Sequence, residues 1–174
     1  AWMLEMAFCI LAANFNAVKA YSMARRLDDE GLLLSGGVEE VSAELRRMGH
    51  RFWRTRARYI VGARSVLGEA LRVLPTLGDM EAREWLRKRV LGLGMKESSH
   101  FLRNTGRKNL AIIDRHILRL SARSGLISGI PRALTRKKYL EVENSLRELS
   151  NELGVSLAEL DLYMWCLVKG FVFR

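Results

Sequence analysis

At 174 residues the chain is long enough to bury a core in one domain or in two closely packed lobes. Its 49% hydrophobic and 28% charged residues exclude a disordered or fibrous chain. The net charge of +10 and a pI near 10.2 point to a polyanionic partner, either nucleic acid or an acidic membrane surface. No apolar run is long enough to span a bilayer and no signal peptide is visible, so an intracellular location with reduced thiols is expected. Cys9 and Cys166 are too few for a typical iron–sulfur cluster, and no paired Cys/His spacing suggests zinc. The chain opens at Ala1-Trp2 inside an apolar segment, as it would if further residues preceded it.

Apolar periodicity predicts helices almost throughout. Trp2 to Ala13 reads as a hydrophobic helix, and Ala17 to Leu27 as a second after the break at Asn14-Phe15-Asn16. Leu32 to Gly37 is a linker, and Val38 to Met48 follows with Val41, Leu45 and Met48 on one face. His50-Arg51-Phe52-Trp53 makes a short loop carrying two adjacent aromatics. Arg54 to Leu74 is a long helix, with Arg54, Arg56, Arg58 and Arg64 in its early turns, and Pro75 stops it. Asp79 is a candidate cap for a helix running to Val90.

Leu91-Gly-Leu-Gly then separates that helix from the next. Gly92 and Gly94 are expected to turn the backbone at positive φ and to let it approach a partner closely. A helix starts near Met95 and runs to Asn104, ending at Gly106 in a left-handed cap. Leu110 to Ile113 is a short apolar run, and Asp114 opens a helix to about Ser124. Gly125 to Leu134 is a loop, and Thr135 to Leu153 is amphipathic through Tyr139, Val142, Leu146, Leu149 and Leu153. Ser156 with Glu159 forms a capping box for a last helix, Leu157 to about Val168. No strand pattern competes, so the fold class is all-α.

The chemistry rests on Lys96 and Asp114. The first N–H groups of the helix beginning at Met95 face back into the glycine turn, where a phosphate could sit. Lys96 lies in that first turn, where the helix dipole disfavours a cation, so its purpose is chemical. A neutral lysine amine is a nucleophile toward an electron-poor sugar carbon and can hold it as a Schiff base. Asp114, eighteen residues on, could stabilise positive charge developing on the sugar or help move protons. Taken singly, a glycine pair is a turn, an aspartate before a helix is a cap, and a lysine near a helix start is solvated surface.

The combination resembles a known family. Gly94-Met-Lys-Glu-Ser-Ser-His-Phe-Leu-Arg-Asn104 and Leu110-Ala-Ile-Ile-Asp-Arg-His-Ile-Leu118 look like the helix-hairpin-helix signature of the type-2, archaeal-type 8-oxoguanine DNA glycosylase/AP lyases. The likeness extends to Ala7-Phe-Cys-Ile-Leu-Ala-Ala-Asn14, to Arg51-Phe52 with Arg56-Ala57, and to Asp161-Leu-Tyr-Met-Trp165. It implies a two-lobed helical fold with the active cleft between lobes, and one glycosylase unit over residues 1–174. Its hairpin would span about 81–104, and its catalytic loop and helix about 107–124. It implies removal of 8-oxoguanine from damaged double-stranded DNA and strand cleavage by β-elimination, with no metal or other cofactor. Lys96 would be the nucleophile and Asp114 the catalytic carboxylate. Phe52 and Trp165 would sandwich the flipped base, and the chain end would help to recognise it. The family ends in lysine; Arg174 keeps both the charge and the terminal carboxylate. Relatives also carry an N-terminal portion that is not in this sequence. A monomer away from membranes is expected.

Other residues carry two readings. His50, His100 and His116 read as packing or hydrogen-bonding residues. One exposed aromatic of Phe52 and Trp53, beside arginines, suits base stacking. Asn14 and Asn16 cap the second helix or fill the gap left by an extruded base. The arginines from Arg46 to Arg64 read either as a solvated face or as a phosphate-binding stripe, and Gly92, Gly94, Arg51 and Arg56 would contact the DNA backbone. Two other functions fit the hairpin: a sibling glycosylase for oxidised pyrimidines, and a non-catalytic module that grips DNA.

Overall fold

The structure, a computed structural model, describes residues 1–170. Every regular element among them is a helix, as the apolar periodicity requires. The chain forms two compact units, Ala1–Phe101 and a second from Leu102 onward, and the division falls within one helix.

The first unit contains α1 (Trp2–Ala12), α2 (Ala17–Asp29), α3 (Val38–Arg47), α4 (Trp53–Val73) with a 3₁₀ turn at Leu74–Thr76, α5 (Asp79–Arg89) and the start of α6 (Met95–Asn104). From Met6 to Leu11 every residue of α1 is fully buried, which marks a core helix rather than an amphipathic one. It packs against α2 and α4, while α3 lies against α4. Each large apolar side chain so buried contributes roughly 1.5–3 kcal/mol, so α1 is the element around which this unit condenses. The second unit contains α7 (Arg115–Arg123), α8 (Arg136–Glu152) and α9 (Leu157–Lys169), with α7 and α8 both packed on α9.

One device starts three of these helices. Gly37, Gly78 and Gly94 each donate a backbone N–H to the glutamate three residues on: Glu40 at 2.7 Å, Glu81 at 3.1 Å and Glu97 at 3.2 Å. A carboxylate in the first turn complements the helix dipole while occupying an N–H that the helix leaves free. This corrects the reading of Asp79, which is the first residue of α5 rather than its cap. Trp53 likewise belongs to α4 and not to the preceding loop.

The two hairpin glycines differ. Gly92 has φ +91°, and a Cβ there would lie 2.6 Å from Tyr59 Cδ2. Gly94, against expectation, is not at positive φ; a Cβ on it would meet only the side-chain carboxylate of Glu97, at 3.0 Å. The turn is therefore made at Gly92, with Val90 and Leu93 buried on either side and Leu91 exposed at the tip. Gly92→Ala is expected to cost about 1–3 kcal/mol, seen as a lower urea midpoint. Gly94→Ala should cost clearly less. Equal costs would mean that positive φ and the Tyr59 contact do not fix the turn.

Candidate active site

Lys96 occupies the second position of α6, directly after the turn made by Gly92. It is partly buried, and its Nζ lies 3.8 Å from Glu97 Oε1, while Glu97 Oε2 takes the Gly94 N–H. One carboxylate thus ties the lysine to the helix start. The two hairpin helices are joined by Arg83 of α5, itself buried, whose Nη1 donates to Ser99 Oγ of α6 at 3.2 Å. Ser98 and Ser99 are both fully buried. His100 is buried edge-on against Phe8, ring centres 5.0 Å apart, which suits the packing reading.

In the same unit, α4 begins beside the end of α1. His50 Nδ1 accepts the Phe52 N–H at 3.1 Å, which leaves Nε2 to carry the hydrogen and donate to Leu11 O at 3.1 Å. Burial lowers the His50 pKa, and Arg56 and Arg51 lower it further against the hydrogen bond to Leu11. Neutral is the form that this pair of bonds needs. Arg56 Nη2 donates to Ala13 O at 2.8 Å and Arg51 Nη2 to Asn14 O at 3.3 Å. Burial lowers the Arg56 pKa, with Glu97 acting in opposition. Phe52 lies beneath both guanidiniums, at 4.4 Å from Arg51 and 5.6 Å from Arg56. Phe52, Arg51, Arg56 and Asn14 are therefore one assembly.

The asparagines divide. Asn16 gives its side-chain oxygen to the Lys19 N–H and caps α2. Asn14 is exposed, at φ +57°, a conformation that asparagine tolerates better than most residues. The arginine stripe divides too. Arg64 is turned inward, its Nε and Nη2 donating to Leu33 O and Leu32 O at 2.7 and 2.6 Å, and Arg56 is similarly engaged. Each of these two arginines thus holds a loop through its backbone carbonyls. Arg46, Arg54 and Arg58 have no ion-pair partner among the described residues.

In the second unit Asp114 caps α7, Oδ1 accepting the His116 and Ile117 N–H groups at 2.8 and 2.9 Å. Oδ2 has no hydrogen bond among the described residues, so a cap and a chemical role are compatible. The run leading to Asp114 is extended and buried, yet it pairs with no strand. Side chains satisfy it instead. Glu143 Oε1 takes the Ala111 N–H at 3.0 Å, Asp161 Oδ1 the Ile112 N–H at 3.3 Å, and Tyr139 Oη the Ile113 N–H at 3.2 Å. Tyr139 returns its own hydrogen to Ala111 O at 2.6 Å. Asp161 is also paired with Arg103, Oδ2 to Nη1 at 2.6 Å.

Sequence reasoning missed this bracing. Tyr139 was visible only as part of an apolar stripe and Asp161 only within the resemblance. Arg103 likewise appears only within the resemblance, and Glu143 offers one usable signal, a glutamate on the apolar face of α8. Trp165, one turn beyond Asp161, lies edge-on to His116 with ring centres 6.1 Å apart. Arg174 lies outside the described residues. No group of three metal-ligating side chains occurs among the described residues, and no helix among them is long and apolar enough to cross a membrane.

Among the described residues, then, an all-helical chain places a lysine at the start of the second helix of a hairpin. A family model described as 8-oxoguanine DNA glycosylase matches residues 1–155. The 8-oxoguanine DNA glycosylase/AP lyase of Methanocaldococcus jannaschii is 44% identical over 99% of this chain and 83% of its own length. That of Korarchaeum cryptofilum is 43% identical over 98% and 81%. The crystal structure of the M. jannaschii glycosylase/lyase, in complex with 15mer DNA containing 8-oxoguanine, superposes with a TM-score of 0.93 at 42% identity, covering 99% of this chain and 83% of that one. The chain belongs to the 8-oxoguanine DNA glycosylase family.

The bracing carboxylate titrates unusually. Burial, together with the field of Asp114, pushes the Asp161 pKa up from 3.8 to about 6, against Arg103 and the Ile112 N–H, which pull it down. Between these values the folded protein keeps a proton that the unfolded chain has lost. This group therefore favours folding most below pH 3.8, and its contribution declines as pH rises through about 6. Asp161→Asn cannot titrate. Denaturant unfolding at stepped pH should show the parent's stability relative to this variant falling between about pH 4 and pH 7. A difference that rises with pH over that window would mean that Arg103 outweighs burial.

Proposed function

We propose that this protein is a bifunctional DNA repair enzyme that removes 8-oxoguanine from double-stranded DNA and then cuts the strand at the resulting abasic site. The observation that carries this reading is the family match along nearly the whole chain, with Lys96 held at the mouth of the hairpin turn. The relative crystallised with 8-oxoguanine DNA supports that base over an oxidised pyrimidine. The chain works as one glycosylase unit over 1–174 and as a monomer, with the hairpin at 81–104 and the catalytic loop and helix at 107–124.

The deprotonated Lys96 amine attacks C1′ of the lesion nucleotide. The glycosidic bond breaks, and the base leaves with the bonding electrons and takes up a proton. The negative charge of Asp114 stabilises the sugar as positive charge builds on it. The sugar ring then opens to a Schiff base on Nζ. Loss of a proton from C2′ expels the 3′-phosphate, and water releases the lysine from the remaining unsaturated aldehyde. Phe52 and Trp165 hold the flipped base, Arg174 helps to distinguish it from guanine, and Asn14 enters the gap left in the duplex. Asn16 is the weaker gap candidate because its oxygen is committed to α2. Gly92 and Gly94 present backbone to the phosphates, and Arg51 and Arg56 shape the loop that reaches the gap.

Incubation of an 8-oxoguanine duplex with borohydride should trap a covalent protein–DNA adduct in the parent. Lys96→Gln should abolish trapping and strand cleavage while duplex binding survives. A variant as active as the parent would remove Lys96 from the mechanism. Asp114→Asn keeps a capping oxygen for α7 but removes the charge, so single-turnover base release should slow by about 100-fold or more with little change in melting temperature. Unchanged release would leave Asp114 as a helix cap alone.

A further inference from the structure

A groove of about 810 Å³ runs between α3 and α4 of the first unit. Its walls carry Arg46, Arg47, Arg54 and Arg58 against one acid, Glu39, with Trp53 among them. Only Arg47 has carboxylate partners, Glu44 and Glu30; Arg46, Arg54 and Arg58 have none among the described residues. Elsewhere in this unit the pattern differs. Arg25, Arg26, Arg87 and Arg89 sit beside carboxylates, and Arg51, Arg56 and Arg64 bind backbone carbonyls. Apart from the exposed Arg72, Lys19 and Lys88, the unneutralised positive charge of this unit is thus gathered in the groove, where like charges repel until an anion enters.

The adjacent aromatics take different partners. Phe52 lies with Arg51 and Arg56, whereas Trp53 lies with Arg54 and Arg46, at 4.6 and 5.4 Å from its ring. Trp53 is neither buried nor fully exposed. A cation over a solvated ring is held more weakly than a stacked nucleobase. An incoming base can therefore displace a guanidinium, which is then free for the neighbouring phosphate. Duplex DNA offers phosphates but keeps its bases stacked on one another, and an acidic peptide tail offers charge without an obligatory ring. An indole set among unpaired arginines matches an unpaired strand. We infer that the α3–α4 groove binds single-stranded DNA, with phosphates on Arg46, Arg54 and Arg58 and a base against Trp53. This surface is separate from the Phe52 assembly and does not depend on the lysine chemistry.

The test is fluorescence anisotropy of the full chain with labelled oligothymidylate of about ten nucleotides, a length within known single-strand site sizes. Trp53→Ala should raise Kd roughly 5- to 100-fold, while Trp53→Phe should retain most of the affinity. Circular dichroism melts of both variants verify the fold, and Trp53→Phe keeps the test informative if Trp53→Ala is unstable. A sugar–phosphate competitor of equal length without bases should displace the probe poorly. Lys96→Gln should bind the probe like the parent, so failure of the groove and failure of the catalytic reading appear on different variants. The proposal is overturned if Trp53→Ala binds within twofold of the parent, or if the base-free competitor is as effective as oligothymidylate. It is overturned equally if polyglutamate displaces the probe as well as unlabelled oligothymidylate does, which would make the groove a site for an acidic protein.

Discussion

The last carbonyls of α1 have to find donors, and much of the first unit follows from how they do so. A helix leaves its final carbonyls without intrahelical partners. Here the Phe15 N–H takes Ala12 O, His50 takes Leu11 O, Arg56 takes Ala13 O and Arg51 takes Asn14 O. Hydrogen bonds from charged groups contribute about 1.5–3 kcal/mol each, so two arginines and a neutral histidine make a firm clamp. Its by-product is functional. The residues that close α1 are those that flank Phe52, and the backbone they hold is the one that sets Asn14 at positive φ. Arg51 and Arg56, which sequence inspection would assign to phosphates, each hold a protein carbonyl here.

The second unit solves a related problem with opposite charge. An extended segment buried without a strand partner must satisfy its N–H groups or forfeit about 1–3 kcal/mol for each. Glu143, Asp161 and Tyr139 do this for Ala111, Ile112 and Ile113. The segment ends in Asp114, so the rigidity of the brace becomes the orientation of the capping carboxylate. Asp161 bears the cost of burial, visible in its raised pKa, and Arg103 offsets part of it. Buried charge here is spent on geometry rather than on stability.

The helix starts show how one local rule can serve several ends. A glycine followed three residues later by glutamate opens α3, α5 and α6 alike. In α6 the residue before that glutamate is Lys96, and its ammonium lies 3.8 Å from the same side chain. A cation at a helix start is unfavourable beside the dipole; placed next to the capping glutamate it is tolerated there.

The sequence by itself determined the helices, because a 3.6-residue apolar period and terminal caps are local signals. Asp114 and Ser156 as caps, Gly92 as a turn at positive φ and the break at Asn14 to Asn16 were all legible for that reason. Lys96 was legible because its type conflicts with the dipole at its position. What only the tertiary structure decided is the partner of each long side chain. Whether Arg56 and Arg64 reach a carbonyl or solvent, and whether Glu143 braces a backbone 32 residues away, depends on distances that no periodicity encodes. Gly94 shows the same limit in small: its neighbours in sequence suggested positive φ, but the turn was already complete at Gly92, where the ring of Tyr59 leaves no room for a Cβ.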